Sequence, residues 1–424
     1  MRLQSATVTP LFDLSAAARA VGRRGKAALA ALSVAALAAC ASGPSGQTAA
    51  GSSGGSQASA SAQSAAVDPN APVTVALLAP TSAASDGVRR AAQDLVAAAQ
   101  IARTERAQAN LSLKIYDTRG EPSGAATAAE AAVRDGAAII LGPLLASSAE
   151  AAAPVAERAG INVISFSNNG SVAGGNLWVL GQTPGDEMRR IFAHAASRGA
   201  SAIAVAYPQN RYGQRVADEA NAAARDAGVG IVALASYPYD PVRGRGNFDQ
   251  ISQAGGDIAA QIIGSGADAV LLADVGNDLA SLGSFLNYFD VSPRTYRYLG
   301  LSRWGTRATL REPSLNGGLF SAVDPAAKAA FERSFSAQMS RRPSTVASVG
   351  YDAVAAVSDM LANARRSGGS PFDARAITAS SHSGATGDFV LLPDGTNRRG
   401  LAVLQVAGDG FRIVEPAPRV GPGL

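Results

Sequence analysis

From residue 73 onward, short apolar runs alternate with Ala-rich amphipathic stretches. Continuous apolar segments at 73–79, 111–116, 137–141 and 162–166 predict strands covered on both faces. Between them the helical period predicts helices near 86–105, 122–134 and 147–158, each long enough for a parallel crossover. After a short strand at 177–180 the rhythm starts again: helix 185–198, strand 201–206, helix 213–226, strand 229–236, helix 247–264, strand 269–273, helix 276–288, strand 295–299. Strands alternating with helices predict βαβ units, hence an α/β fold of two doubly wound, Rossmann-like lobes. No sequence repeat relates the two series.

The last third is mixed. A strand at 317–320 and helices at 325–340 and 344–365 are followed by two alternating apolar runs around Asp394-Gly395, a hairpin signal in which glycine supplies positive φ. A chain that completes the second series, returns to helix and then makes a hairpin crosses between lobes more than once. The expected boundaries are 73–182 with about 304–376 for one lobe, and 183–303 with about 377–415 for the other.

Ahead of residue 73 the pattern differs. Arg23, Arg24 and Lys26 precede an apolar segment at 27–36 that is too short to span a bilayer, and Leu37-Ala38-Ala39-Cys40 has the look of a lipobox. Cys40 is the single cysteine, which excludes a disulfide framework and a multi-cysteine zinc site and makes it the expected lipid acceptor. Two acyl chains anchor a protein stably to a membrane. Residues 1–39 therefore read as a lipoprotein signal peptide. Residues 40–71, rich in Gly, Ser, Ala and Gln, read as a flexible tether. Ala41, rather than an acidic residue, follows the cysteine and favours the outer membrane in this class, so the expected location is the periplasm, lipid-anchored.

Charge narrows the function. The chain carries a net +4, and residues 1–39 account for all of it, with five basic groups against one acidic group. The remainder is balanced and shows no basic stripe interleaved with aromatics, which argues against a nucleic-acid partner.

Several segments carry a resemblance by their order and spacing. They are Ile140-Leu141-Gly142-Pro143-Leu144-Leu145-Ala146-Ser147-Ser148, Gly160-Ile161-Asn162-Val163-Ile164-Ser165, Asn210-Arg211-Tyr212-Gly213, Tyr298-Leu299-Gly300-Leu301-Ser302 and Gly350-Tyr351-Asp352-Ala353-Val354, with the terminal hairpin. From residue 73 to about 414 the chain resembles the type I periplasmic-binding family, the leucine/isoleucine/valine receptors and their relatives. The resemblance implies two lobes joined by three crossovers, closing on a small polar ligand in the cleft. Open α/β sheets also bind ligands beyond the carboxyl ends of their strands, where helix N-termini present free N–H groups.

Ser147, Ser148, Ser165, Ser167, Asn168 and Asn169 are ligand-binding candidates on that ground, although helix capping and turn chemistry use the same residue types. Tyr212 matches a family tyrosine that reaches the ligand from the second lobe; packing is the alternative. The resemblance implies an acidic partner for a ligand ammonium at the position of Ser302, and here that residue is neutral. A desolvated ammonium without a partner is costly. Asp274 is the candidate substitute, or else a turn former. The neutral Ser302 argues against a free amino acid.

Within the family, Ile164-Ser165-Phe166-Ser167-Asn168-Asn169 and Val179-Leu180-Gly181-Gln182-Thr183-Pro184 resemble the lipoprotein branch of penicillin-binding protein activators. That branch sits on the outer membrane and stimulates peptidoglycan synthases. The leading expectation is such a regulator, with a penicillin-binding protein as partner. The alternative is a substrate-binding lipoprotein of an ABC importer for amino acids or related small molecules, with an ABC permease as partner.

Catalysis has little material. His194 falls in a predicted helix and His382 in a Ser/Gly-rich loop, neither with a second ligand at metal spacing, so surface or capping roles are expected. Asp186 and Glu187, like Asp218 and Glu219, are adjacent and predict solvated helix faces beside the dipole. Gly300-Leu301-Ser302-Arg303-Trp304-Gly305 misses the nucleophile-elbow spacing by one residue. The expectation is a binding protein without enzyme activity, metal or cofactor.

Overall fold

The computed structural model describes residues 67–239, 248–408 and 410–422. The signal segment, Cys40 and most of the expected tether lie outside the described residues. The last part of that tether is docked rather than free. Val67 packs against the first core, and the carbonyl of Pro69 accepts a 2.7 Å hydrogen bond from Arg365 Nε.

The first series forms β1 (Val73–Ala79), α1 (Asp86–Glu105), β2 (Leu111–Asp117), α2 (Pro122–Arg134), β3 (Ile139–Leu141), α3 (Ala146–Arg158), β4 (Val163–Ser165) and β5 (Leu177–Val179). Its five strands make a parallel sheet in the order β2-β1-β3-β4-β5. Strand alternation decides what covers each face. Val75 and Leu77 enter a core with Leu95 of α1, whereas Ala76 and Leu78 meet the alanines of α2 and α3.

The second series gives α4 (Pro184–Ser197), β6 (Ala202–Pro208), α5 (Arg211–Ala227), β7 (Gly230–Tyr237), α6 (Phe248–Gly264), β8 (Ala269–Leu272), α7 (Gly276–Tyr288), β9 (Arg297–Gly300) and the short α8 (Arg307–Leu310). The chain continues through β10 (Leu319–Val323), α9 (Pro325–Met339), α10 (Ala347–Ser367), the short α11 (Ala374–Thr378), β11 (Ser381–Gly384), β12 (Gly387–Leu391), β13 (Asn397–Arg399), β14 (Leu401–Ala407) and β15 (Gly410–Glu415). The second sheet has seven strands in the order β15-β14-β10-β9-β8-β6-β7, antiparallel only where β14 joins β10 and β15. Ile203 and Val205 face α4 and α5, while Ala204 and Ala206 face the core under α6 and α7.

The final third distributes itself differently from the expected boundaries. β10, within the 304–376 segment assigned to the first lobe, pairs with β9 and belongs to the second sheet. β12, within the 377–415 segment assigned to the second lobe, sends Phe389 and Leu391 into the first core beside Val354 and Val357 of α10. The hairpin signal shows that two strands turn back, not which core their apolar side chains fill. Asp394-Gly395 does make the turn, with Gly395 at φ 83° and its carbonyl accepting the Val179 N–H at 2.8 Å.

The chain passes between the two sheets three times, at 180–183, 323–325 and 399–401. Buried Arg399 fastens this region. It ion-pairs with buried Asp352 at 3.0 Å and donates to Thr386 Oγ1 and the Leu180 carbonyl, and its own backbone N–H donates to Asp186 Oδ2 at 3.1 Å. No helix among the described residues is long and apolar enough to cross a membrane.

Candidate groove between the two sheets

The chain leaves the first sheet at the carboxyl end of β5 and enters α4, which leads back to the start of β6. The N-terminus of α4 therefore lies at the carboxyl edge of the second sheet. The carboxyl edges of both sheets flank the crossovers, and the space between them is the candidate groove.

On the first-sheet side, Ser165 Oγ donates to the Pro143 carbonyl at 2.8 Å and accepts the Ser167 N–H at 3.1 Å. Ser167 Oγ accepts the Asn169 N–H, and Asn169 Oδ1 accepts from Ser171. These three candidates are engaged in consecutive side-chain turns that shape the loop after β4. Asn168 and Ser147 are exposed. Ser148 is different: it is fully buried in the first turn of α3, and its hydroxyl has no partner among the described residues. The residue at the N-cap position of α3 is Leu145, which offers no side-chain acceptor, so the first N–H groups of this helix are uncapped as well.

On the second-sheet side, Tyr212, Asp274 and Ser302 come together just past three strand ends. Asn210 caps α5 by accepting the N–H groups of Tyr212 and Gly213, which places Tyr212 at the helix start. The Arg303 guanidinium lies 4.1 Å above the Tyr212 ring. Burial, with the nearby Glu187 carboxylate, pushes the Tyr212 hydroxyl far above its usual range. Asp274 accepts from the Tyr237 hydroxyl and from the Val275 N–H at 2.8 Å; burial raises its carboxyl to about 6 against those hydrogen bonds.

Ser302 has a partner that sequence reading missed. Its N–H and hydroxyl both donate to Glu187, at 2.7 and 2.8 Å. Glu187 and Asp186, expected on a solvated helix face, are 6% and 4% exposed. Thr183 accepts the Asp186 N–H and Glu219 accepts the Gly185 N–H, so the start of α4 is capped and packed into the sheet edge. Burial raises Glu187 to about 7, opposed by the two Ser302 hydrogen bonds, and raises Asp186 to about 6, opposed by Arg189. The turn that presents Ser302 is pinned by Trp304, whose Nε1 donates to the Leu272 carbonyl at 2.9 Å. Gly300 is needed beneath it, because a Cβ there would overlap the indole.

Both histidines are also buried, contrary to the surface role expected of them. His194 Nδ1 lies 2.8 Å from Glu415 Oε1, and the other carboxylate oxygen, Oε2, holds Arg190. His382 sits in β11 against Phe389, with Nδ1 3.3 Å from Asp359 Oδ2. Among the described residues no group of His, Cys, Asp and Glu is arranged to hold a metal.

Two α/β lobes, three crossovers and polar side chains gathered on both facing sheet edges define the frame of a binding protein. The chain belongs to the periplasmic binding protein family, whose model matches residues 72–410, and its fold is that of the type I, leucine-binding receptors. Among solved structures, it is similar to a protein described as a branched-chain amino acid ABC transporter from Rhodospirillum rubrum, with TM-score 0.67 and 18% identity over 81% of this chain and 100% of the other. It is also similar to a leucine-, isoleucine-, valine-, threonine- and alanine-binding protein from Brucella ovis, with TM-score 0.58 and 16% identity over 81% and 94%. A third is a solute binding protein of an ABC transporter from Rhodopseudomonas palustris BisB5 in complex with 3,4-dihydroxybenzoic acid, with TM-score 0.55 and 14% identity over 82% and 99%. No curated protein matches the chain by sequence.

Proposed function

We propose that this chain is a non-catalytic, lipid-anchored envelope protein whose groove does not serve free amino acids, and that it regulates peptidoglycan synthesis by contact with a penicillin-binding protein. One observation carries the reading. The polar groups on the second-sheet wall are bonded to one another: Glu187 to Ser302, Asp274 to Tyr237, and Tyr212 beneath Arg303. Among the described residues the wall carboxylates Glu187 and Asp274 already accept two hydrogen bonds each, and displacing a buried partner to admit an ammonium is costly. The Ser165 to Asn169 run and the Cys40 lipobox support the same branch of the family.

A thermal-shift panel of the twenty amino acids, run beside retention of purified penicillin-binding protein by the immobilised full chain, tests the proposal. The expected result is retention, with no amino-acid shift that depends on the groove residue Tyr212. A ligand at a hundred times its Kd adds ~2.7 kcal/mol of stability, so a true substrate is readily seen. A saturable shift with one amino acid that Tyr212→Ala removes, with no retention, overturns the reading.

The second reading is a substrate-binding protein of an ABC importer. It is favoured by the solved relatives, which include one holding an aromatic acid that carries no ammonium. Adding 3,4-dihydroxybenzoate and benzoate to the panel tests it. Lipid anchoring is checked separately, since Cys40→Ser abolishes incorporation of labelled palmitate if the thiol is the acceptor.

A further inference from the structure

A cavity of about 470 Å³ lies on the first lobe and is lined by none of the groove residues, where the α10 side chains Asp359, Asn363 and Arg366 face the free edge of β11 and the tail beyond β15. The tail leaves the second sheet at Glu415 and runs past the third crossover, where Gly400 leaves room for the Pro418 carbonyl. It brings Arg419 to the cavity opposite α10. The wall is rich in donors. Among the described residues no carboxylate pairs with Arg366 or Arg419, although both line the cavity with Asp388. Among the described residues the Asp388 carboxylate accepts no hydrogen bond, and its backbone carbonyl takes the Gly400 N–H at 2.8 Å. Asp359 is committed elsewhere, to Arg106 at 2.7 Å and to His382. Arg366, whose guanidinium donates to Asn363 Oδ1 but meets no carboxylate, and Arg419, with no ion partner among the described residues, stand with the Asp388 carboxylate around a single cavity and match a small molecule that carries both signs of charge.

We infer that this cavity is a second ligand site for an amino-acid-sized or dipeptide-sized zwitterion, with Arg366 and Arg419 on its carboxylate and Asp388 on its ammonium. A forked guanidinium suits a carboxylate by two parallel hydrogen bonds. The site does not depend on what the groove holds.

The test is calorimetric titration of the full chain with glycylglycine and with each of the twenty amino acids, with acetate and methylamine as single-charge controls. At least one zwitterion is expected to bind, with both controls at least tenfold weaker. Because Arg366 and Arg419 are exposed, Arg366→Ala with Arg419→Ala leaves the fold intact, which circular dichroism checks, and weakens binding at least tenfold; Asp388→Asn does the same through the ammonium. Binding that persists unchanged in the double variant places the zwitterion elsewhere and overturns the inference. So does the absence of binding by every zwitterion in the set.

Discussion

Glu187 shows how much the environment of one side chain changes its chemistry. Its carboxyl is raised from 4.5 to about 7 by burial, so the folded state holds this proton more tightly than the unfolded chain. The group therefore favours folding below pH 4.5, and that contribution is lost as the pH rises towards 7. A difference of this size corresponds to ~3 kcal/mol. Asp186 and Asp274, each raised from 3.8 to about 6, act in the same sense over a lower window. Urea unfolding between pH 4.5 and 8 should show stability falling with pH, and Glu187→Gln should flatten the upper part of that fall. Parallel profiles for the two proteins would remove Glu187 as the cause. The residue type was plain in the sequence, but its burial was not: the partner that seals it, Ser302, lies 115 residues away.

Elements were legible where their signals are local. α1 and α2 occupy the predicted residues, and α2 begins with Pro at its first position, where a missing N–H costs nothing. Ser381-His382-Ser383-Gly384 has no apolar alternation and predicts a loop, yet it forms the edge strand β11, which pairs with β12 and buries His382 on α10. The first turn of α3 carries a prediction of its own. The unpartnered Ser148 hydroxyl contributes nothing to folding that alanine lacks, so Ser148→Ala should leave the unfolding free energy from urea titration within ~1 kcal/mol of wild type or raise it. A drop of 2 kcal/mol or more would mean that the hydroxyl is bonded in solution.

For the whole molecule, the Arg399 cluster is the fastening between the two lobes, joining the first-lobe helix α10 through Asp352 to the first crossover through Leu180 and to α4 through Asp186. Truncating one partner of a buried pair leaves the other uncompensated, at about 3–5 kcal/mol. Arg399→Ala should lower the unfolding free energy by that amount, and adding Asp352→Ala should recover part of it in a double-mutant cycle. A double variant that loses as much as the sum of the two single variants would show that the pair is not coupled.

The sequence by itself determined the layered α/β character, the βαβ rhythm, most helix boundaries and the Asp394-Gly395 turn, because periodicity, caps and turn residues act over a few positions. Only the tertiary structure decided that β10 joins the second sheet, that β12 fills the first core, and that Glu187 closes on Ser302. Those outcomes depend on which distant surface buries each apolar or charged side chain, and that choice belongs to the assembled fold rather than to any local stretch of chain.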